Sequence, residues 1–580
     1  MTTVIEETVA TGTYASVSGE DRRRVEERIF AYEVEISRLK RVLNRGASVM
    51  RLPDELLGDV FELCRLSELG HYMNEEYRTS SSRNEPPLPL KDWITIAHVC
   101  YHWREVALGR HTFWSYITTE RADCVATMIT RSGEVPLMVD GRIMDTPNQR
   151  IVDMQRSWQH VLGVSSRVQS LRAPFPSPRL WRLTACSTPS FPNVDNLVVE
   201  VSDTFKTTPE EFAETDLYTP GTDFPHLRHL TTLALILEDA RSFFRPTLRS
   251  LHLEAFTEKH NDGDAWAQLL ETLAELPQLE NLVINSSFQD VPTTAASPTA
   301  LVLDRTVHLP HLQSLFLSCS DGGWKAALLL HNLTFPPQTR VSVRHSRHQT
   351  SEDLAARRIT PADEHAALNA ALAAKLGARA LHTLRIAVDA ATYCLCVVQG
   401  WDAPGLAPDA APRTPPVLAL CAFLHTSFAH LELGLAPLAR VERLELDGRA
   451  CAASLAAEVR MARAFRVFAD VRAVVVSGGF VRKLLDALGK DRPGKCALPA
   501  LQVLHVQQYR FGRVTSGDRT TPIALADLPT LLRRRYERFG HRLEKIVISE
   551  CRGVKEGDVA SLGDEVGEVV WDGLTGDFAY

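Results

Sequence analysis

A short phrase recurs along the chain from residue 194 onward: an apolar residue, two of any kind, an apolar residue, one of any kind, and a third apolar residue. It reads Val194-Leu197-Val199, Leu230-Leu233-Leu235, Leu248-Leu251-Leu253, Leu279-Leu282-Ile284 and Leu312-Leu315-Leu317. Later copies are Leu381-Leu384-Ile386, Val441-Leu444-Leu446, Val471-Val474-Val476, Leu501-Leu504-Val506 and Leu543-Ile546-Ile548. The last two apolar positions of each copy alternate as in a strand, so both side chains point to one face. Several copies follow an apolar-Pro pair: Phe191-Pro192, Phe224-Pro225, Leu276-Pro277, Leu309-Pro310 and Leu498-Pro499. Helices are expected between some copies. Asp264 to Glu275 is one, with Asp264 as N-cap, and Asp527 to Phe539, closed by Gly540, is another.

Counted between middle residues, Leu282 to Leu315 spans 33 positions, and the steps Leu444 to Val474 and Val474 to Leu504 are 30 each. A Leu-x-x-Leu-x-Leu phrase at such a period resembles a leucine-rich repeat, in which stacked units share one core. The strands should be mostly parallel and joined by right-handed crossovers. The period is irregular. Leu233 to Leu251 is only 18 positions, and Leu384 to Leu444, at 60, must hide a unit or an insertion. Residues 403–416 (APGLAPDAAPRTPP) read as a projecting loop. The repeat-like region is expected over 191–580, against the alternative of an α/β domain with leucine-rich strands in another topology.

The first third is patterned for helices. Residues 1–20 read as disordered. In 21–45, Val25, Ile29, Tyr32, Ile36, Leu39 and Leu43 alternate in steps of four and three, a heptad seam flanked by Arg, Glu and Lys. About three heptads make a marginal isolated coil. Two uses of the seam are open, self-association or packing against the helices that follow. The next helix opens near Pro53, which suits a first helical position, and carries Leu56, Leu57, Val60, Phe61 and Leu63 at helical spacing. Another places Ile96, Val99, Cys100, Trp103 and Val106 on one face, ends at Gly109, and is followed by Phe113-Trp114. Between them, 65–91 reads as an inserted loop rich in Ser and Pro. Residues 121–190 read as a helical connector with a helix around Ile151 to Leu162 and loops such as APFPSP.

Leu52-Pro53, Glu55-Leu56-Leu57, Val60-Phe61, Val99-Cys100, Trp103-Arg104 and the trailing Trp114 stand in the order of an F-box. The segment 46–120 resembles that family, and with its leading helix and inserted loop it is similar to F-box proteins of basidiomycete fungi. The resemblance implies a fold that is α+β overall: an N-terminal helix and an all-α F-box bundle, then an irregular α/β leucine-rich-repeat-like solenoid. It also implies a function, the substrate-recognition subunit of a Skp-cullin-F-box ubiquitin ligase. The F-box would bind a Skp-type adaptor, and through it a cullin, while the repeats capture a protein substrate. A non-catalytic scaffold with the same adaptor contact is the alternative. Leu52, Pro53, Leu56, Leu57, Val60 and Phe61 are the expected adaptor contacts, with Val99, Cys100 and Trp103 supporting or sharing them. Some of these must form the segment's own core, and sequence alone does not divide the two sets.

Composition narrows the partners. A net charge of −7 gives no electrostatic footprint for nucleic acid or anionic membrane, and no apolar run reaches the ~18 residues of a spanning helix. The polar, acid-bearing N-terminus does not read as a secretory signal. The 11 cysteines show no Cys-x-x-Cys spacing, only the pair Cys394 and Cys396, so reduced and mostly buried thiols of a cytoplasmic or nuclear protein are expected. Chemistry-bearing clusters are sparse. His98 and His102 are four apart without a Glu beside the first, and Arg344-His345-Ser346-Arg347-His348 reads as a solvated loop. Arg533, Arg534, Arg535 and Arg538 read as a solvated basic helix face. Ser477-Gly478-Gly479 lacks the spacing of a phosphate loop. No catalytic residue, metal or cofactor is expected.

Overall fold

The computed structural model describes residues 18–73, 94–119, 121–141, 149–175, 191–201, 224–233, 241, 243–254, 264–286, 306–319, 323–345, 361–376, 381–388, 395–402, 416, 418–423, 440–448, 465–489, 496–509, 511 and 525–574. The chain forms two compact units, Met1–Arg172 with Arg182–Pro189, and Ala173–Trp181 with Ser190–Tyr580.

The first unit opens with α1 (Gly19–Arg45). Ser18 caps it, its Oγ accepting from the Asp21 N–H. Residues 18–20 are therefore part of a helix terminus; the rest of the expected disordered segment lies outside the described residues. No residue of α1 is buried, so its seam does not pack against the helices that follow. After a 3-10 turn (Ser48–Arg51) comes α2 (Asp54–Met73), which absorbs the first nine residues assigned to the inserted loop. Residues 74–91 of that loop lie outside the described residues. Pro53 stands just before the helix, its carbonyl accepting from Leu57 N–H at 3.0 Å. The second predicted helix is broken. Thr95–His98 is a 3-10 turn, and α3 (Tyr101–Gly109) starts only after Cys100, whose extended backbone interrupts the coil. Ile96, Val99, Cys100, Trp103 and Val106 therefore do not share one helix face.

The end of the segment expected to be all-α and the connector expected to be helical are instead built of alternating strands and helices. A 3-10 turn (His111–Trp114) leads to β1 (Tyr116–Thr118), then α4 (Ala122–Arg131), β2 (Leu137–Asp140), α5 (Gln149–Leu162) and β3 (Val168–Phe175). β1 pairs with β2 and β2 with β3, both in parallel. Part of the predicted loop APFPSP thus lies in a strand. The strands β1 and β2 are too short to show alternation in the sequence, and every residue of β1 is buried.

The second unit contains β4 (Asn196–Val201), β5 (His229–Leu233), β6 (Ser250–Glu254), α6 (Asp264–Ala274), β7 (Asn281–Ser286), β8 (Val307–His308), β9 (Ser314–Cys319), α7 (Gly323–Asn332), β10 (Leu333–Thr334) and β11 (Arg340–His345). It continues with α8 (Pro361–Leu376), β12 (Thr383–Val388), β13 (Leu395–Trp401), β14 (Leu418–Phe423), β15 (Arg443–Gly448), β16 (Ala473–Gly478) and α9 (Gly479–Gly489). β17 (Val503–Gln507), α10 (Leu528–Phe539), β18 (Lys545–Ser549), α11 (Glu556–Gly563) and β19 (Glu568–Trp571) complete it.

Parallel pairing runs β4-β5-β6-β7-β9-β11, with Leu197, Leu230, Leu251, Leu282, Leu315 and Val341 in one line across the sheet. It resumes as β12-β15-β16-β17-β18-β19, aligning Leu384, Leu444, Val474, Leu504, Ile546 and Val569. The second copy of the phrase must be shifted by three. Its repeat positions are Leu227, Leu230 and Thr232, all buried, whereas Leu233 faces the other side. The long gap after Leu384 holds an excursion: β13 pairs antiparallel with both β12 and β14, and β14 lies parallel to β11. Residues 403–415 of the predicted loop lie outside the described residues.

The apolar-Pro pairs have a local reason. The N–H of each phrase's first residue reaches the carbonyl three residues back, Val194 to Phe191 at 3.3 Å, Leu227 to Phe224 at 3.2 Å and Leu312 to Leu309 at 3.3 Å. Proline sits at the second position of that turn, where its fixed φ fits. The residue after the turn then binds the preceding repeat, as Arg249 N–H to Arg228 O at 2.8 Å, Glu280 N–H to Arg249 O at 2.7 Å and Gln502 N–H to Arg472 O at 2.8 Å. Helix α6 opens at Asp264 itself. Helix α10 ends at Gly540, whose φ of +74° and N–H to Tyr536 O (2.8 Å) make a left-handed stop.

Candidate functional site

In the first unit the structure divides the apolar residues that the sequence left mixed. Leu57 and Phe61 are 0% and 1% exposed, whereas Leu56, Val60 and Val99 are 51%, 43% and 60% exposed. Phe61 joins an aromatic cluster, its ring centroid 5.1 Å from Trp103 and 6.2 Å from Phe113. Phe113 packs edge-on against Trp114 at 5.5 Å, and the Trp114 indole N–H donates to Ala107 O at 2.8 Å. Trp103 is half-buried in that core, and Cys100 serves as a cap, its Sγ accepting from the Trp103 N–H at 3.4 Å. Leu57, Phe61 and Trp103 therefore hold the segment together, and Cys100 sets where α3 begins.

What remains is a stripe on the outside of α2. Leu56, Val60 and Leu63 recur at steps of four and three and all face solvent, with Leu52 and Pro53 exposed at the helix entry. Leu63 was on the predicted apolar stripe but not among the expected contacts; its helical spacing from Leu56 is the signal that finds it. Polar links fix the helix behind the stripe. His102 Nε2 lies 3.3 Å from Asp54 Oδ1, and Arg110 donates to Glu55 O at 3.2 Å and pairs with Asp59. Gly58 makes room for that arginine, since a Cβ there would lie 2.5 Å from Arg110 Nε. The result is an exposed row of large apolar side chains on an anchored helix.

In the second unit the repeat positions are buried, and the alternate side chains of each strand form the other face. Arg385 pairs with Asp447 at 2.8 Å, and Ser477 Oγ donates to the same carboxylate at 3.2 Å. Next along the sheet, His505 Nε2 is 2.8 Å from Ser549 Oγ, and Gln507 Nε2 approaches His505 at 3.0 Å. Toward the start of the sheet, burial pushes the His252 imidazole down to about 4. Beside these polar groups the same face carries Val283, Phe316 and Val475.

The other chemical candidates dissolve. The arginines of α10 are not one solvated face: Arg535 is buried, donating to Ala497 O at 2.9 Å and to Leu498 O, while Arg533 pairs with Glu565. A cavity of about 320 Å³ beside Arg534, Arg535 and Arg538 is bordered by Leu488 and Leu531. Ser477-Gly478-Gly479 joins β16 to α9, with Gly478 at φ +56°. His345 closes β11, and 346–348 lie outside the described residues. No cluster of three or more His, Cys, Asp or Glu side chains fit to hold a metal occurs among the described residues. Of the cysteines described as free, Cys319 and Cys551 are buried, Cys100, Cys124 and Cys496 are half-buried and Cys64 is exposed, so burial is less general than expected. Burial raises the Cys551 thiol to about 11. Among the described residues no helix is long and apolar enough to cross a membrane.

No protein-family model matches the chain, and no curated protein does. Among solved structures similar to it is the leucine-rich repeat-containing protein LegL7 from Legionella pneumophila. Identity is 12%, covering 64% of this chain and 90% of that one, with a TM-score of 0.22. At that score the two chains do not superpose as wholes. The repeat character of this chain rests on its own aligned strands.

Proposed function

We propose that this protein is the substrate-recognition subunit of a Skp-cullin-F-box type ubiquitin ligase. The helical segment docks on a Skp-type adaptor, and the repeat unit holds a protein substrate. The observation that carries the reading is the division of the motif residues. Leu57, Phe61 and Trp103 are used internally, while Leu52, Pro53, Leu56 and Val60 are left exposed beside Leu63. Large apolar side chains on a rigid helix concentrate binding energy when a partner removes them from water, at about 25 cal/mol per Å² of apolar surface buried. The adaptor brings a cullin, and bond-making chemistry belongs to those other subunits. This chain contributes proximity and orientation. The outer strand face of the repeat unit offers the substrate contacts, and the setting is cytoplasmic or nuclear.

Co-purification of the full chain with a Skp-type adaptor tests the reading. Leu56→Asp/Val60→Asp should abolish the complex and leave the fold intact, because both side chains already face water. A stoichiometric complex unchanged by that pair would move the interface elsewhere, and no complex from a folded chain would remove the ligase reading. Phe61→Asp is the wrong control, since it would break the core behind the stripe.

A further inference from the structure

Helix α1 carries an apolar seam that no described residue of its own unit covers. It has no buried residue, and Ile36, Leu39 and Leu43 are 51%, 49% and 76% exposed. Ile29, Ile36 and Leu43 occupy the first heptad position, and Val25, Tyr32 and Leu39 the fourth. Isoleucine at the first with leucine at the fourth favours a two-stranded coil, a pattern that Ile29, Ile36 and Leu39 follow and Val25, Tyr32 and Leu43 do not. Phe30 and Val34 lie outside this seam, and the stripe they begin ends at Ser37 and Arg41.

The flanking charges select the occupant. We infer that α1 pairs with α1 of a second copy of this chain, parallel and in register. In that arrangement Arg28 of one helix meets Glu33 of the other, and Glu35 meets Lys40, each pair occurring twice by symmetry; only Asp21 against Glu26 is like-charged. Reversing one helix about the seam's midpoint would set Glu33 against its own counterpart, and Glu35 likewise. Charge complementarity thus picks both the partner and the direction. The seam is short for a free coil, but its far end is anchored. Arg41 lies 4.4 Å over the Tyr101 ring, and the Gly46 N–H closes the helix on Leu43 O at 3.0 Å. Fewer residues must therefore be ordered when two copies meet. The pairing would bring two exposed α2 stripes into one assembly.

Sedimentation of the full chain over about 1–100 μM tests the inference without any adaptor. The expected result is a reversible dimer, lost in Ile29→Asp/Ile36→Asp while far-UV circular dichroism stays near that of the parent. Arg28→Glu should weaken the dimer about tenfold, and Arg28→Glu/Glu33→Arg should restore it. Leu39→Cys should cross-link between copies on oxidation beyond the level of the parent chain. A monomer at every concentration overturns the inference, as does a dimer indifferent to Ile29→Asp/Ile36→Asp. Absence of the Leu39→Cys cross-link overturns the parallel register. A chain that stays monomeric while α1 captures a different polypeptide assigns the seam to that partner and likewise overturns it.

Discussion

Leu56 in α2 and Leu504 in β17 both belong to apolar-patterned segments, yet the first is 51% exposed and the second fully buried. The helical segment of the first unit has more apolar side chains than its small core can take. Leu57, Phe61, Phe113 and Trp114 fill that core, and Leu52, Leu56, Val60 and Leu63 are left outside. Among the described residues of the repeat unit the large exposed apolar side chains are Tyr536, Val570 and Leu574. The unit's aligned positions from Leu197 to Val341 and from Leu384 to Ile546 are taken up by stacking one strand on the next. Apolar side chains stand in a row outside the helical segment, whereas the outer strand face of the repeat unit mixes polar groups with residues such as Val283, Phe316 and Val475. Where apolar residues are left over is therefore more informative than where they are common.

The comparison can be broken most directly at Phe61. Phe61→Ala should cost about 3–5 kcal/mol, read as lost hydrogen-exchange protection in α2 and α3 with β15 to β18 unchanged. If protection in α2 persists, the aromatic cluster is not the core of that segment. Leu504→Ala should cost about 2–5 kcal/mol and reverse the pattern, loosening β16 to β18 while α2 and α3 hold. Loss of protection in both units would show them to unfold as one.

His252 sharpens the contrast by pH. Burial depresses its folded pKa to about 4 from 6.5, with the Glu254 carboxylate 3.8 Å away. The folded state prefers the neutral ring, so its contribution is complete above about pH 6.5 and is lost as pH falls from 6.5 through 4. The expected loss is about 1–3 kcal/mol, seen as exchange protection in β5 to β7 after correction for intrinsic rates. In His252→Gln that pH step should vanish; an unchanged step would assign it to another group. The smallest effect is the most diagnostic. Leu56→Asp/Val60→Asp should change stability by no more than about 0.5 kcal/mol, and a large loss of protection in α2 would mean the stripe is core after all.

The periodic part of this protein is legible in its residues alone. A strand whose inner positions must be apolar, entered by a turn that suits proline, writes itself as Leu-x-x-Leu-x-Leu after Leu-Pro, and nine of the ten copies were in register. The copy at Leu227, Leu230 and Thr232 is hidden because Thr232 is polar, while Leu233 and Leu235 form a better apolar match three residues on. β1 and β2 left no signal, being too short for alternation to show. The reversal at β13 and β14 depends on which distant strand pairs with which, and no local pattern encodes that. The division of the apolar residues around α2 is likewise set by tertiary packing. Leu56 and Leu57 are neighbours of the same type, and only the position of the Phe61, Trp103 and Phe113 cluster decides which of them is covered. Helix periodicity tells which residues share a face; what packs against that face is set by the rest of the fold.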